Sequence, residues 1–332
     1  MKTDQHVMPS VRAALGPHRH ELSGAERSAV RSLAERLASF GEGLVDDGAW
    51  LDAARRLSCS LPPRLLEALR AFRHDPGELG ALLLVGLPID EDTLPPTPVE
   101  PDSVQRAATV PAAVSVLVGV QLGELIAFRQ EKSGALVQNV VPVRGLEESQ
   151  SNAGSVPLEY HVENAFHPCR PDFVGLTCLR ADHESNAGTL VASVRLALAR
   201  LDVADREVLH QPRFTTSPPP SFDAGATTPV HPVLDGRADD PNVRVDFHVT
   251  EACDEEAREA LERLRGAMAA SALPVRLATG EMALLDNRVV LHGRSPFTPR
   301  YDGGDRWLQR IFVHLDNRRN RAYRAAGGAV LD

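Results

Sequence analysis

The chain has 332 residues, 43% hydrophobic and 24% charged, a globular balance with room for one large domain or two ordinary ones. Its net charge of −9, with no basic stripe interleaved with aromatics, argues against a nucleic-acid partner, because phosphate binding needs a basic face. No apolar run approaches the roughly 20 residues that span a bilayer. Met1 to Pro17 lacks the apolar stretch of a secretory signal, so a cytoplasmic protein is expected.

The first hundred residues read as helical. Ser23 and Glu26 have capping-box spacing, with Val30, Leu33, Leu37 and Phe40 following at helical intervals. Two further amphipathic stretches run from about Trp50 to Leu57 and from Pro62 to Phe72. Leu82 to Leu87 is a short apolar run closed by Gly and Pro, the pattern of a buried strand. A Pro-rich loop (Pro95 to Pro101) precedes Val110 to Phe128, which is mostly apolar with a helical rhythm. From about Leu136 short β-prone runs alternate with turn residues: Val137–Val143, Phe173–Leu179, Thr189–Val194, Val243–Val249, Met282–Leu285 and Trp307–Val313. Strands so spaced predict an antiparallel sandwich or barrel. A helical insert covers Asp254 to Ala270, and Ser217 to Pro220 reads as a mobile loop. The expected architecture is α+β, with a helical segment, 1–80, packed on a core, 81–332.

Cys59, Cys169, Cys178 and Cys253 form no C-x-x-C pair, so neither a zinc knuckle nor a redox motif is indicated. Buried, reduced thiols are expected. Any metal must be sought among histidines and carboxylates.

The segment Tyr160-His161-Val162-Glu163-Asn164 stands out. On a strand, His161 and Glu163 face the same side, because side chains alternate. An imidazole and a carboxylate so placed supply two of three facial ligands to iron. H-x-E alone is weak and needs a distant third ligand. His292 is the best candidate, where the apolar strand Leu284 to Leu291 runs into a turn. His6, His18 and His20 fall in an N-terminus expected to be mobile, and His74 and His231 beside turn prolines. His167, His183, His210 and His314 read as surface or core residues. Arg306 lies fourteen residues after His292. From a strand, its planar fork could enter the barrel and capture a carboxylate at two points.

His161-Val162-Glu163, His292 and Arg306 together resemble the iron(II)/2-oxoglutarate oxygenases. In detail they are similar to the clavaminate synthase-like group, which includes β-hydroxylases of arginine, asparagine and lysine. Supporting strings are Arg170-Pro-Asp-Phe-Val, Gly188-Thr-Leu-Val-Ala-Ser, Asp286-Asn-Arg, His292-Gly-Arg-Ser-Pro-Phe and Pro299-Arg-Tyr-Asp-Gly, over roughly Leu82 to Phe312. The resemblance implies a double-stranded β-helix (jelly roll) flanked by helices. It also implies Fe(II), 2-oxoglutarate as cosubstrate, O2, and a small-molecule amino-acid substrate, in natural-product biosynthesis. By resemblance, Thr189 joins Arg306 on the distal carboxylate of 2-oxoglutarate. Arg310 takes the substrate α-carboxylate and Glu163 also accepts from its ammonium. Asn152 and Glu131 meet the amino acid, with Gln130 an alternative from the same turn. For Thr189 an ordinary strand residue, and for Glu131 a solvated charge at a helix end beside Lys132, are the competing readings.

Asp246 and His248 share one face of a strand-like Val245-Asp246-Phe247-His248-Val249. Arginine- and lysine-specific relatives tend to place two acids there; here the second is a histidine. That departure weakens a guanidinium clamp and leaves an amide side chain, as in asparagine, equally open. The alternatives are an oxygenase acting on a larger natural-product intermediate by hydroxylation, desaturation or ring formation, a non-catalytic jelly-roll binding module, and a zinc hydrolase. Arg306 opposes the last two, and the zinc reading also lacks an H-E-x-x-H base.

Overall fold

A computed structural model of the chain describes residues 18–184, 187–222, 228–324 and 328–332. The reading of Met1 to Pro17, with His6, lies outside them. In chain order the strands are β1 Arg19–Glu21, β2 Ala81–Val85, β3 Glu124–Phe128, β4 Gln138–Val140, β5 Leu158–His161, β6 Phe173–Arg180, β7 Thr189–Ser193 and β8 Phe214–Thr216. They continue with β9 Leu234–Arg237, β10 Asp240–Val243, β11 Thr250–Ala252, β12 Leu273–Val275, β13 Met282–Asp286, β14 Val290–Arg294, β15 Trp307–His314 and β16 Val330–Leu331. The major sheet runs β1-β2-β13-β6-β15-β3-β16, with β4 also paired to β15, and the minor sheet runs β12-β7-β14-β5. Together they form the jelly roll.

Alternation sorts the major sheet into two faces. From β2, Ala81 and Leu83 join the core that also contains Val191, Val290 and Leu291 of the minor sheet. Leu82 and Leu84 turn the other way, into a second core with the N-terminal helices. β15 divides likewise: Leu308 and Phe312 point inward, while Trp307, Ile311 and Val313 point out. Arg310 is in step with the inward set.

The outer face is covered by α1 (Gly24–Ala38), α2 (Gly48–Ser58), α3 (Pro63–His74) and α4 (Val110–Leu122). The capping box forms: the Glu26 N–H donates to Ser23 Oγ at 3.3 Å and the Ser23 N–H to Glu26 Oε2 at 2.8 Å. β1 pairs with β2 and buries His20, so the N-terminal segment is not wholly helical. The expected helix from Val110 stops at Leu122, and its remainder is β3. The helix is buried on nearly every side, so no period marks its end. It ends at Gly123, where a Cβ would sit 2.2 Å from the His314 carbonyl oxygen.

Two short helices, α5 (Val194–Ala197) and α6 (Val203–Leu209), and the β9–β10 hairpin have no counterpart in the sequence reading. The insert is α7 (Glu255–Ser271), with Asp254 accepting from the Ala257 N–H at its start.

Two expected strands are corrected. Val243–Val249 is not one strand: β10 ends at Val243 and Phe247 to Val249 form a turn. Leu284 to Leu291 breaks at Asn287–Val289, so β13 stays in the major sheet and β14 crosses to the minor one. All four thiols are free; Cys169 and Cys178 are buried, but Cys59 and Cys253 are exposed. Among the described residues no helix is long and apolar enough to cross a membrane.

Candidate active site

β5 ends at His161, and β14 pairs with it so that His292 lies directly opposite. Opposed residues on antiparallel strands send their side chains to the same face, and here the two rings stand 4.4 Å apart. His292 also faces Val191 of β7, and His161 is bridged to Asp246 on its far side. One row across the minor sheet therefore reads Val191, His292, His161, Asp246. Gly293 permits this pairing, since a Cβ there would meet the Leu158 carbonyl oxygen at 2.6 Å. His292 sits mid-strand, not at a strand end as the sequence indicated.

Glu163 reaches the same point by another route. It lies beyond the end of β5 in a turn, with Asn164 at φ 52°, so strand alternation does not place it. Its backbone is held by Asn287 in the β13–β14 turn. The Glu163 N–H donates to Asn287 Oδ1 at 2.8 Å, and Asn287 Nδ2 donates to the Glu163 and Pro171 carbonyls at 3.2 and 2.9 Å. A ligand atom from each of His161, Glu163 and His292 lies within 4.8 Å of the others.

These groups fit a divalent metal in state as well as position. His161 Nδ1 lies 2.8 Å from the Glu159 carbonyl, which can only accept, so the ring's bare nitrogen is Nε2. Burial, helped by His161, lowers the His292 pKa and keeps that ring neutral. Burial alone would raise the Glu163 pKa. The Arg310 charge and His292 outweigh it and hold the carboxyl below the usual carboxylate range. Two imidazoles and one carboxylate make the facial donor set of non-haem iron(II).

Arg310, inward on β15, is the hub of the site. Its Nη1 donates to Glu163 Oε1 at 2.8 Å, its Nε to Gln138 Oε1 at 3.1 Å, and its Nη2 to Glu131 and Gln138. The Asn152 amide presents its oxygen to Nη1 and Nη2 at 2.9 and 3.1 Å, the one orientation that pairs acceptor with donors. Glu131 also accepts from Asn164 Nδ2 at 3.3 Å. It follows a strand and a turn rather than a helix, and it is engaged rather than solvated.

A cavity of about 470 Å³ is lined by Glu131, Asn152, His161, Glu163, Asp246, His248 and Arg310. A narrower recess shares Asn152, Glu163 and Arg310 and is lined further by Thr189, His292 and Arg306. Arg306, just before β15, is buried, and its guanidinium has no hydrogen-bonding partner among the described residues. Thr189, opposite Arg294 in the minor sheet, is buried too. A buried cation beside a hydroxyl fits the far carboxylate of a 2-oxo dicarboxylic acid. Gln130 is exposed and lines neither space. His248 is exposed on a turn, so it does not share a strand face with Asp246, yet it borders the cavity.

The model of the family described as "Taurine catabolism dioxygenase TauD, TfdA family" matches residues 113–312. The chain is 49% identical over 311 residues to the L-asparagine oxygenase of Streptomyces coelicolor, covering 93% of each. This chain belongs to the TauD/TfdA family. Like other members of the clavaminate synthase-like group it is an oxygenase. It is 37% identical to clavaminate synthase 2 of Streptomyces clavuligerus, over 80% of this chain and 84% of that one. The crystal structure of asparagine oxygenase with Fe(II), (2S,3S)-3-hydroxyasparagine and succinate superposes with a TM-score of 0.92. It is 48% identical and covers 95% of this chain and 99% of its own.

The sequence reading missed Gln138 and Asn287. Gln138 is a buried amide with no motif around it. Asn287 stood inside the quoted Asp286-Asn-Arg string, and a polar triplet between apolar runs is a turn signal that could have found it.

Proposed function

We propose that this oxygenase hydroxylates C3 of free L-asparagine, consuming O2 and 2-oxoglutarate at an iron(II) centre held by His161, Glu163 and His292. The relative solved with hydroxyasparagine and succinate supports the pairing, since succinate is 2-oxoglutarate that has lost CO2 and gained one oxygen atom, while the amino acid has gained the other. Iron bound there would activate O2 at the expense of the 2-oxo acid. The protein's residues bind, orient and keep out water.

The choice of asparagine rests on Asp246. Its Oδ1 accepts the His248 N–H at 2.9 Å, which leaves only Oδ2 without a partner among the described residues. With Oδ1 already held by a backbone N–H, the free Oδ2 suits an amide N–H and gives up the parallel two-oxygen grip that binds an arginine fork most strongly, and a carboxylate side chain would be repelled. In this reading Arg310 receives the α-carboxylate and Glu163, Glu131 and Asn152 surround the ammonium end. His248 closes the cavity rim beside the amide. Both ends of a short amino acid are then fixed and C3 lies between them, before the metal. Arg306 and Thr189 hold the far carboxylate of 2-oxoglutarate in the recess.

The test is a screen of free amino acids with Fe(II), 2-oxoglutarate and O2. Asparagine should stimulate succinate release most and gain the mass of one oxygen atom, with zinc giving no turnover. Faster turnover of arginine or lysine, or no stimulation by any amino acid, overturns the assignment.

A further inference from the structure

Asp246 is tethered from behind by a chain of buried side chains. Its backbone N–H donates to Thr250 Oγ1 at 3.0 Å. Thr250 and Thr216, opposite each other on β11 and β8, place their hydroxyls 2.9 Å apart. Thr216 Oγ1 lies 2.9 Å from His231 Nε2, and His231 Nδ1 lies 2.9 Å from the Pro232 carbonyl. All three side-chain bearers are buried; Thr216 borders the substrate cavity, whereas Thr250 and His231 lie outside its lining, so Thr250→Val tests the tether free of any direct contact.

The direction of every bond follows from its end. The Pro232 carbonyl can only accept, so Nδ1 carries the proton and a neutral ring offers Nε2 as an acceptor. Thr216 therefore donates to His231, and having one proton it must accept from Thr250. Thr250, its own proton spent, accepts from Asp246. Burial, with Arg244 and Arg170 nearby, brings the His231 pKa down to about 4, consistent with a neutral ring. Each hydroxyl is used once as donor, so none is free to swing toward the cavity.

We propose that Thr250, Thr216 and His231 are positioning residues that fix Asp246 and so set the enzyme's selectivity for the substrate side chain. The inference rests on the reading that Asp246 meets that side chain. With its backbone N–H held by Thr250 and Oδ1 held by the His248 N–H, Asp246 presents Oδ2 at one place beside His161. A chain broken at Thr216 lets the 246–250 turn rock, and the amide is no longer registered against the metal row.

Thr216→Val removes the hydroxyl and keeps the shape; Thr216→Ser restores it. In Thr216→Val and Thr250→Val, KM for asparagine should rise about 3- to 10-fold, the factor that one buried neutral hydrogen bond carries. Selectivity for asparagine over glutamine and aspartate should contract by a similar factor, and more succinate should form without hydroxylated product. KM for 2-oxoglutarate should stay put, and Thr216→Ser should regain the wild-type ratio. A purely structural role would lower the Tm and kcat with every substrate alike. Wild-type selectivity and coupling in Thr216→Val overturn the proposal. Should that variant not fold, His231→Phe, at the far end of the chain, decides by the same ratio. If the unmodified enzyme ignores asparagine, the proposed function fails on its own. The variants are then run on whichever amino acid it accepts, and an unchanged preference over the next best overturns the positioning role.

Discussion

The metal side and the substrate side of the cavity are built differently. His161 and His292 face each other across a strand pair, while Arg306 and Arg310 stand just before and within β15, a central strand of the major sheet. Glu131, Asn152, Asp246 and His248 all lie in turns, irregular segments or an isolated bridge. Strand ladders hold atoms rigidly, as facial coordination and cosubstrate capture require. Turns can be re-aimed by one or two residues without disturbing the sandwich, so they suit groups that choose among side chains. Glu163 is the exception on the metal side, a turn residue made rigid by Asn287, and Arg310 on the substrate side, a ladder residue; for the rest, the proposed chemistry rides on the ladder and the proposed selectivity on the turns.

That division breaks if damage on one side spreads to the other. His161→Ala or His292→Ala should abolish iron binding and turnover while the fold survives, read by metal content and the Tm. A large loss of Tm would mean that the row is structural first. Arg306→Lys keeps the charge and loses the fork, so KM for 2-oxoglutarate should rise about 10- to 100-fold. Little change in KM for asparagine is expected, and an unchanged 2-oxoglutarate requirement would remove Arg306 from that role. Asp246→Asn replaces an acceptor with a donor. It should lower kcat/KM for asparagine by at least about tenfold and shift preference toward an acidic side chain. Iron affinity should hold steady, and wild-type turnover of asparagine would show that another wall sets selectivity.

The smallest effect concerns stability. His167 packs among Phe128, Phe166 and Phe222, and burial pushes its pKa down to about 4 from an ordinary 6.5. Between those values the unfolded chain takes up a proton that the native state refuses. Stability should therefore fall as pH drops from about 6.5 toward 4 and flatten below. His167→Phe should reduce that slope of Tm against pH, and an unaltered slope would assign it to other groups.

How much of this was legible depended on where each residue sits. His161, Glu163, His292 and Arg306 stood out in the sequence because metal ligation and carboxylate capture restrict residue type, and the structure groups the first three where a metal could be held. Their routes were read less well: Glu163 arrives through a turn tied to Asn287, which pleat alternation cannot foresee. Val243, Val245 and Phe247 are all buried, so they alternate like a strand. Yet the chain keeps only an isolated bridge to β5 at Asp246 and then turns, with the Val249 and Thr250 N–H groups donating to the Asp246 carbonyl. Alternation reports which side chains are buried, not which backbone groups are paired. Gln138 was illegible because a lone buried amide acquires meaning only from the Arg310 beside it.

The pairing of His292 with a carboxylate 129 residues earlier also bears on how the protein matures. Before the sandwich closes, the chain offers iron only the weak His161–Glu163 couple. The third ligand arrives when β14 docks on β5, a non-local pairing and hence a slow step in assembly. Iron should therefore enter a finished fold rather than nucleate it, so chelated enzyme ought to stay folded and reload without refolding. In a cell starved of iron, such a chain would persist as an intact apoprotein awaiting its metal.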